Sequence, residues 1–184
     1  MQSLPILSRR QAQENFDGLN FKSPEHDPSD YAIQATSGST GKPKGSPNLH
    51  SSLVNRIVWM KEHCKVINTD RILQKTPITF DVAGWEFFMP LISGAQLILM
   101  PPEEHKDPQK IYEIILAQEI TILHFIPSML EAFLKNHGVN NNSLPLRIIC
   151  TSGEALQSKV VENFFKVLPS VKLLNLYGPT EAAI

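Results

Sequence analysis

Several features that mark specialised classes of protein are scarce in this sequence. Its 184 residues include 2 cysteines, and 17 Lys and Arg stand against 18 Asp and Glu, which gives a formal net charge of −1. The chain therefore lacks the basic excess typical of proteins that bind nucleic acid or membrane surfaces. Its apolar stretches are shorter than the roughly 20 residues that a membrane-spanning helix needs. The start of the chain, interrupted by Pro5, has no secretory pattern. We expect a cytoplasmic globular protein.

The two cysteines, Cys64 and Cys150, form no CxxC motif, and both flank apolar stretches. This pattern favours buried, reduced thiols over a disulfide framework. The histidines show no metal-ligand spacing either, so solvated or locally bonded side chains are the default interpretation.

From Tyr31 onward, short apolar strand patterns alternate with amphipathic helix patterns. The predicted strands cover 31–35, 71–75, 95–100, 120–125, 146–150 and 171–176. The predicted helices cover 48–64, a segment through 87–92 that ends near Gly94, 107–118, 127–137 and 155–167. This alternation predicts an α/β fold with a mostly parallel sheet. Residues 1–30 are weakly patterned, and we interpret them as a lead-in to one domain at 31–184. In such sheets ligands bind beyond the carboxyl ends of the strands.

The segment after the first predicted strand is rich in glycine, hydroxyl and lysine residues. It contains Thr36, Ser37, Gly38, Ser39, Thr40, Gly41, Lys42, Lys44 and Gly45. Exposed backbone N–H groups, hydroxyl donors and lysine charges are suited to binding a polyphosphate. The segment is not a P-loop, because threonine at 36 and proline at 43 break that motif. A flexible surface loop is the alternative interpretation.

Two later turns also follow strand patterns and carry polar or aromatic side chains. Asp81 and Trp85 are spaced to border one cavity, although an N-cap aspartate followed by core aromatics would give the same pattern. The turn at Ser152, Gly153 and Glu154 could contact a ligand or merely cap a helix.

The last turn, at 175–181, combines a Gly-Pro bend with an aromatic ring and oxygen-bearing side chains. Tyr177 can lie against a nucleotide base, while Thr180 and Glu181 can present oxygens to a phosphate-bound Mg²⁺. Considered alone, this segment could equally be an ordinary turn.

Taken together and in this order, the motifs resemble those of the adenylate-forming superfamily, and within it the amino-acid adenylation domains of non-ribosomal peptide synthetases. Stretches at 73–77, 85–90, 105–108, 124–130 and 152–156 agree with the resemblance, which covers 30–184. It implies part of the large N-terminal subdomain of such an enzyme, truncated at both ends. The implied reaction is ATP-dependent activation of an amino acid as aminoacyl-AMP, with release of pyrophosphate.

The resemblance also implies roles for individual residues. The segment 36–45 corresponds to the phosphate-binding loop of the family. Thr180 corresponds to a phosphate contact, and Glu181 to the carboxylate that coordinates Mg²⁺. The residues implied to bind adenine or AMP are Gly153, Glu154, Asn175, Tyr177 and Gly178. The residues implied to form the substrate pocket are Asp81, Val82, Trp85, His124, Cys150, Ser152, Leu176 and Ile184.

The implied pocket indicates a class of substrate. Asp81 matches the carboxylate that pairs with the α-ammonium group, which favours an amino acid over a fatty or aryl acid. His124 and Ser152, with the bulky Trp85, resemble a pocket that selects serine. Threonine is the next candidate, since one methylene is worth only about 1–3 kcal/mol. The alternative for Cys150 and for its apolar companions in the pocket set is that they are core residues.

The resemblance also implies parts of the family's enzymes that fall outside the 184 residues. The family's ribose-binding aspartate and catalytic lysine fall beyond the matched motifs, so we expect the chain to be inactive alone. A carrier domain with a phosphopantetheine arm is the implied partner. Two departures from the family pattern are Ala35, where an aromatic residue is usual, and Pro47 after the loop. An acid–CoA or acyl-AMP ligase and a non-catalytic nucleotide-binding module are the alternative functions.

Overall fold

The computed structural model describes residues 6–7, 31–36, 44–136, 139 and 144–183, with side chains from Asn48 onward except that of Glu181. In chain order the elements are β1 (Ile6–Leu7), β2 (Tyr31–Thr36), β3 (Lys44–Leu49), α1 (His50–His63), β4 (Arg71–Gln74), α2 (Ala83–Ser93), β5 (Gln96–Leu99), α3 (Pro108–Ala117), β6 (Ile122–Phe125), α4 (Pro127–Leu134), β7 (Ile148–Thr151), α5 (Ser158–Val167) and β8 (Lys172–Asn175). Short 3-10 turns cover Glu104–Lys106 and Thr180–Ala182.

The main sheet has six strands in the spatial order β1-β5-β4-β6-β7-β8. The pairs from β5 through β8 are all parallel, while β1 pairs with β5 in the antiparallel direction. The prediction of an α/β fold with a mostly parallel sheet is therefore confirmed. The strand β1, which the sequence pattern did not predict, is two residues long.

Hydrophobic cores cover both faces of the sheet, as parallel sheets require. In β4, Ile72 packs on the face covered by α1 and α2, and its neighbour Leu73 packs on the face covered by α3, α4 and α5. In β7, Ile148 and Ile149 divide between the faces in the same way. The near-continuous apolar sequence of these strands follows from burial on both sides.

A separate antiparallel pair, β2 with β3, precedes α1. The sequence analysis predicted β2 but assigned 44–47 to a loop and began the helix at 48. Gly45, Ser46 and Pro47 suggested a loop because glycine and proline weaken strand patterns. The pair has two strands, so each is an edge strand, and Pro47 opposite Ile33 is compatible with that position.

Most predicted helices differ from the structure only at their ends. Asp107 caps α3 by accepting a hydrogen bond from Gln109 N, and α2 ends at Gly94 with a φ of 71°. The helix α4 ends at Leu134, before the predicted position, and α5 starts at Ser158 because the preceding Gln157 is extended. Among the residues described, no helix has both the length and the apolar character needed to cross a membrane.

An ion pair joins loops at the amino ends of the parallel strands. Arg147 Nε donates to Asp70 Oδ1 over 2.6 Å, and Arg147 Nη1 donates to Cys64 O over 2.9 Å. Thr121 Oγ1 donates to Asp70 Oδ1 over 2.7 Å. Burial of Asp70 raises its pKa, but these donors and the Ile67 N–H outweigh burial and lower the pKa overall. The cluster therefore holds β4, β6 and β7 together at this edge.

We expect Asp70→Asn to lower the free energy of unfolding by about 2 kcal/mol at pH 7, because Arg147 loses its buried counter-charge but stays partly hydrated. The pKa of Asp70 is lower in the folded state, so its stabilising effect is present above the unfolded pKa and disappears as the pH falls through the folded value. Urea denaturation should therefore show the two proteins converging below about pH 4.

The matched control for this test is Glu113→Gln, which breaks the exposed Lys110–Glu113 pair. Its effect should stay within about 0.5 kcal/mol. Equal losses for both variants, or a loss at Asp70 that persists unchanged at low pH, would contradict this account of the cluster.

Candidate functional site

The candidate residues lie at the carboxyl edge of the main sheet. Because β4, β6, β7 and β8 are parallel, the segments that follow them meet at this edge. The chain passes from β4 to β5 on one side and then returns to β6 on the other. The strand order therefore reverses between β4 and β6, and open α/β sheets bind ligands at such a point.

A small cavity opens at this edge, beside the core that α1 and α2 cover. It is lined by Arg56, Asp81, Val82, Trp85, Ser152, Leu176, Tyr177 and Gly178. Its volume of about 20 Å³ is on the scale of one water molecule. Every lining residue except Arg56 belongs to the set that the sequence predicted to contact an amino acid or AMP.

Asp81 connects the start of α2 with the turn after β8. Its Oδ2 accepts a hydrogen bond from Thr180 Oγ1 over 2.9 Å, and its Oδ1 accepts one from Val82 N over 2.7 Å. The helix begins at Ala83 with Val82 as its N-cap and has no side-chain cap. The alternative interpretation of Asp81 as a helix cap is therefore wrong, and its carboxylate faces the cavity.

The side chain of Asn48, at the end of β3, contacts the same turn. Asn48 is buried, and its Nδ2 donates to Thr180 O over 2.8 Å. This bond joins the end of β3 to the turn that contains Thr180. The sequence analysis placed Asn48 at a helix start and missed this contact.

His124 and Ser152 form a polar pair behind the cavity wall. His124 Nε2 and Ser152 Oγ are 2.8 Å apart, and the histidine tautomer decides which of them donates. The His124 ring meets Trp85 edge-on at a centroid distance of 6.3 Å. Burial, and to a smaller extent the Lys75 cation, lowers the pKa of His124 to about 3. The ring is therefore neutral near pH 7, with one donor and one acceptor nitrogen.

The turn after β7 contains a backbone position that requires glycine. Gly153 has a φ of +86°, and a Cβ there would lie 3.4 Å from Ile126 Cγ2. The adjacent Glu154 accepts hydrogen bonds from Ser128 N over 2.9 Å and from Ser128 Oγ over 3.1 Å at the start of α4. The Glu154 side chain therefore connects the turn to α4.

Asn175 and Tyr177, which the sequence predicted to bind adenine, lie at the end of β8 and just after it. Asn175 Oδ1 accepts a hydrogen bond from Thr151 Oγ1 over 3.2 Å. Tyr177 is 94% exposed, so its ring offers a bare aromatic surface beside the cavity. A flat exposed ring is a suitable stacking surface for a base.

Other predicted residues lie in the core or outside the described residues. Cys150 is fully buried in the core beneath α1 and α2, together with Cys64. Thr36 pairs with Lys44 in the β2–β3 register, and Gly45 pairs with Ala35. The predicted loop residues Ser37, Gly38, Ser39, Thr40, Gly41 and Lys42 lie outside the described residues, as do Ile184 and the side chain of Glu181.

A buried carboxylate that the sequence analysis did not single out connects β4 with α2. Glu86 accepts hydrogen bonds from Lys75 N, Thr76 N and Thr76 Oγ1 over 3.2, 3.0 and 2.7 Å. Burial raises the pKa of Glu86, and Lys75 opposes this shift. Because Glu86 follows Trp85 in α2, these bonds hold the tryptophan against the cavity. An acidic residue among the apolar residues 85–89 was the available signal.

Among the residues described, no group of three or more His, Cys, Asp or Glu side chains is placed to hold a metal ion.

The structure combines a parallel sheet with an exposed aromatic ring and a carboxylate-lined cavity at the carboxyl edge of the sheet. A known protein family matches the chain that forms this arrangement. Residues 3–184 match the family described as AMP-binding enzyme. The chain belongs to the AMP-binding enzyme family.

Two bacterial proteins are similar to this chain over its whole length. Vanchrobactin synthetase VabF of Vibrio anguillarum is 41% identical over 190 residues, covering 100% of this chain and 6% of VabF. Zwittermicin A synthase ZmaJ of Bacillus cereus is 45% identical over 192 residues, covering 100% of this chain and 35% of ZmaJ. The chain thus spans about a third or less of these relatives.

A solved structure shares both sequence and fold with this AMP-binding chain. The adenylation domain AlmE of Vibrio cholerae, in complex with glycyl-adenosine-5'-phosphate, is 32% identical with a TM-score of 0.77. The match covers 86% of this chain and 30% of the AlmE chain. The mostly parallel α/β sheet therefore has the fold of part of an adenylation domain.

We expect Glu86→Ala to lower the free energy of unfolding by about 2–4 kcal/mol, because it leaves buried N–H and O–H donors without an acceptor and opens a cavity. Glu86→Gln keeps an acceptor at the same place and should cost about 1 kcal/mol or less. Chemical denaturation measures the free energy of unfolding of both variants and of the wild type. Equal losses would mean that the charge of Glu86, rather than its hydrogen bonds, stabilises the fold.

The neutral His124 should make stability depend on pH. Because its pKa is lowered to about 3 in the folded state, the unfolded chain binds a proton first as the pH falls below about 6.5. Stability is therefore complete above that pH and declines between pH 6.5 and 3, by at most about 1.4 kcal/mol per pH unit. We expect His124→Gln to flatten this decline in denaturation curves, and His105→Gln to leave it unchanged. A decline between pH 6.5 and about 4 that persists in His124→Gln would contradict the assignment.

Proposed function

We propose that the protein activates an amino acid as part of a non-ribosomal peptide synthetase. In this reaction the carboxylate of the amino acid attacks the α-phosphate of ATP and gives aminoacyl-AMP and pyrophosphate. Support comes from family membership, from the two synthetase relatives and from AlmE, whose structure contains an aminoacyl adenylate. The single observation that carries the proposal is the Asp81 carboxylate, bonded to Thr180 and lining the cavity at the carboxyl edge.

Asp81 is the group proposed to bind the α-ammonium of the substrate. A carboxylate that lines a cavity is a suitable partner for a cation, because an ammonium group removed from water is stable only when it is paired. A substrate without an ammonium group would form no such pair with Asp81. The proposed substrate is therefore an amino acid rather than a fatty or aryl acid.

The nucleotide is proposed to lie across the turns after β7 and β8. Tyr177 would stack on adenine, with Asn175, Gly178 and the turn at Gly153 and Glu154 beside it. The segment 36–45 would bind the β- and γ-phosphates, and Thr180 the phosphate next to the substrate. These groups act by positioning and by neutralising charge, which is how phosphoryl-type transfers are catalysed.

Glu181 is proposed to hold Mg²⁺, with ATP phosphates supplying further oxygen ligands. Magnesium commonly binds through one or two carboxylates plus phosphates, so one protein carboxylate in this turn fits its chemistry. The metal would supply charge neutralisation at the phosphates. Thr180, which Asn48 and Asp81 hold in place, precedes this carboxylate directly and fixes the backbone that presents it.

The proposed amino acid is L-serine, with threonine the next candidate. Ser152 and the neutral His124 offer a donor and an acceptor to one hydroxyl group, and Trp85 limits the volume of the pocket. Alanine offers no hydroxyl group to hydrogen-bond with this pair, and sites built for a hydroxyl reject analogues that lack it. Val82 and Leu176 supply apolar walls, and Cys150 and Ile184 complete the proposed pocket set.

The chain is proposed to act within a larger cytoplasmic polypeptide. Because it covers 6% of VabF and 35% of ZmaJ, groups outside the 184 residues are proposed to complete the catalytic site. The proposed recipient of the activated amino acid is the phosphopantetheine arm of a carrier domain. The 184 residues by themselves are expected to support no exchange reaction.

The deciding measurement is amino-acid-dependent exchange between ATP and pyrophosphate, with all twenty amino acids and the whole natural polypeptide that contains this chain. We expect the highest rate with serine. Asp81→Asn keeps an acceptor for Thr180 but removes the charge, so it should lower kcat/KM for serine by roughly 100-fold or more. Glu181→Gln should lower the rate and raise the Mg²⁺ concentration needed.

Asp107→Asn, at the cap of α3, is the matched control and should retain the wild-type exchange rate. A peak with another amino acid would keep the activation reaction and reject the serine pocket. Activity only with carboxylic acids that lack an amine would indicate an acid–CoA or acyl-AMP ligase. ATP binding without any exchange would indicate a non-catalytic nucleotide-binding module.

A further inference from the structure

Asn48 is a buried polar residue near the end of β3, and the sequence motifs gave it no role. It is 4% exposed, and its Nδ2 donates to Thr180 O, 132 residues further along the chain, over 2.8 Å. Burying an amide is costly unless it is hydrogen-bonded, so this bond is part of the reason that the side chain can be buried. The acceptor belongs to a turn, and the bond therefore fixes where that turn lies.

The turn that Asn48 contacts has a backbone conformation that its surroundings must maintain. It is the 3-10 turn Thr180–Ala182, and the next residue, Ala183, has a φ of 62°. Residues with a Cβ adopt this left-handed region rarely, and they stay there only where neighbouring groups fix the backbone. Thr180 supplies two such fixed points, since its O accepts from Asn48 and its Oγ1 donates to Asp81 Oδ2 over 2.9 Å.

The strand that carries Asn48 also carries the end of the segment 36–45. Thr36 pairs with Lys44 in the β2–β3 register, so the two ends of that segment lie side by side. Asn48 follows Gly45 by three residues in the same paired strand, a distance of about 10 Å at the usual rise of a strand. The bond from Asn48 therefore connects the strand that leaves this segment directly to the turn at Thr180.

In the proposed function, these two connected regions bind the same phosphate groups. The segment 36–45 is proposed to bind the β- and γ-phosphates, and the turn at Thr180 and Glu181 is proposed to contact a phosphate and hold Mg²⁺. Magnesium requires nearly ideal octahedral geometry at about 2.0–2.1 Å, with ligands from both the protein and the phosphates. A small displacement of the turn relative to the segment would therefore weaken the binding of ATP and of the metal ion together.

We propose that Asn48 is a positioning residue for ATP and its metal ion, because its amide fixes the turn of Thr180 and Glu181 relative to the segment 36–45. The assignment rests on the proposed amino-acid activation. Asn48 acts through Thr180 rather than on the reacting atoms. Binding of the amino acid depends on it less, because Asp81 keeps its second hydrogen bond, from Val82 N over 2.7 Å, whether or not Asn48 is present.

The test measures exchange between ATP and pyrophosphate in the whole natural polypeptide, with the amino acid that the wild type prefers. Asn48→Ala removes the donor, and Asn48→Asp replaces the Nδ2 donor with an oxygen in nearly the same shape. We expect each variant to raise KM for ATP by about 3- to 10-fold, the range for one hydrogen bond. The Mg²⁺ concentration for half-maximal exchange should rise as well, whereas KM for the amino acid should change by less than about 2-fold.

Thr121→Val is the matched control, because it removes a hydroxyl that donates to Asp70 Oδ1 at the opposite edge of the sheet. It should lower the melting temperature but leave both KM values and the Mg²⁺ requirement unchanged. If the Asn48 variants also lose only thermal stability, Asn48 is a structural residue and the assignment is overturned. Equal rises in KM for ATP and for the amino acid, or failure of both Asn48 variants to fold, would overturn it too.

Equilibrium binding of ATP with Mg²⁺, measured by calorimetry without an amino acid, separates this inference from the proposed function. If the wild type binds ATP but exchanges with no amino acid, the proposed function is rejected, and a weaker Kd for ATP in Asn48→Ala still supports the positioning role. An unchanged Kd in that variant overturns the role, whatever the exchange reaction shows. A wild type that binds no ATP rejects the proposed function and this inference together.

Discussion

The parallel alignment of β4, β6, β7 and β8 is the constraint on which the candidate site depends. It brings the segments after these strands to one edge, so that Asp81 and Thr180, 99 residues apart in sequence, share a hydrogen bond. The antiparallel β2–β3 pair joins this edge through Asn48, which bonds the same turn. Distant segments therefore meet through a few polar contacts, and the hydrophobic cores on both faces keep the strands in register.

The two edges of the sheet differ in their polar contacts. At the amino edge, Asp70 and Arg147 connect three strand starts, and the buried carboxylate is satisfied by donors from the loops around it. At the carboxyl edge, the Tyr177 ring is exposed beside the cavity, and Arg56 borders the same cavity. The charged groups of the amino edge are thus paired within the fold, whereas the carboxyl edge presents an exposed aromatic ring and a cavity.

The sequence predicted the alternation of strands and helices because apolar runs such as 120–125 and caps such as Asp107 are local signals. It did not predict β3, whose Gly45, Ser46 and Pro47 have loop propensities that pairing with β2 overrides. Motifs indicated Asp81 and Ser152 as candidates. Arg56 lies outside every motif, and Glu86 lies in the matched stretch 85–90 without an assigned role, so the position of each side-chain end depends on how the helices pack. That position is a tertiary property that local patterns do not contain.

The charge state of His124 follows from this packing. Glu86 binds the backbone at Lys75 and Thr76, and so holds Lys75 near the Phe125 ring and close enough to His124 to oppose its protonation. A protonated His124 would place a second cation in the buried region near Lys75. Burial and this neighbouring cation keep the imidazole neutral, so Ser152 meets an uncharged ring that can donate or accept the hydrogen bond between them.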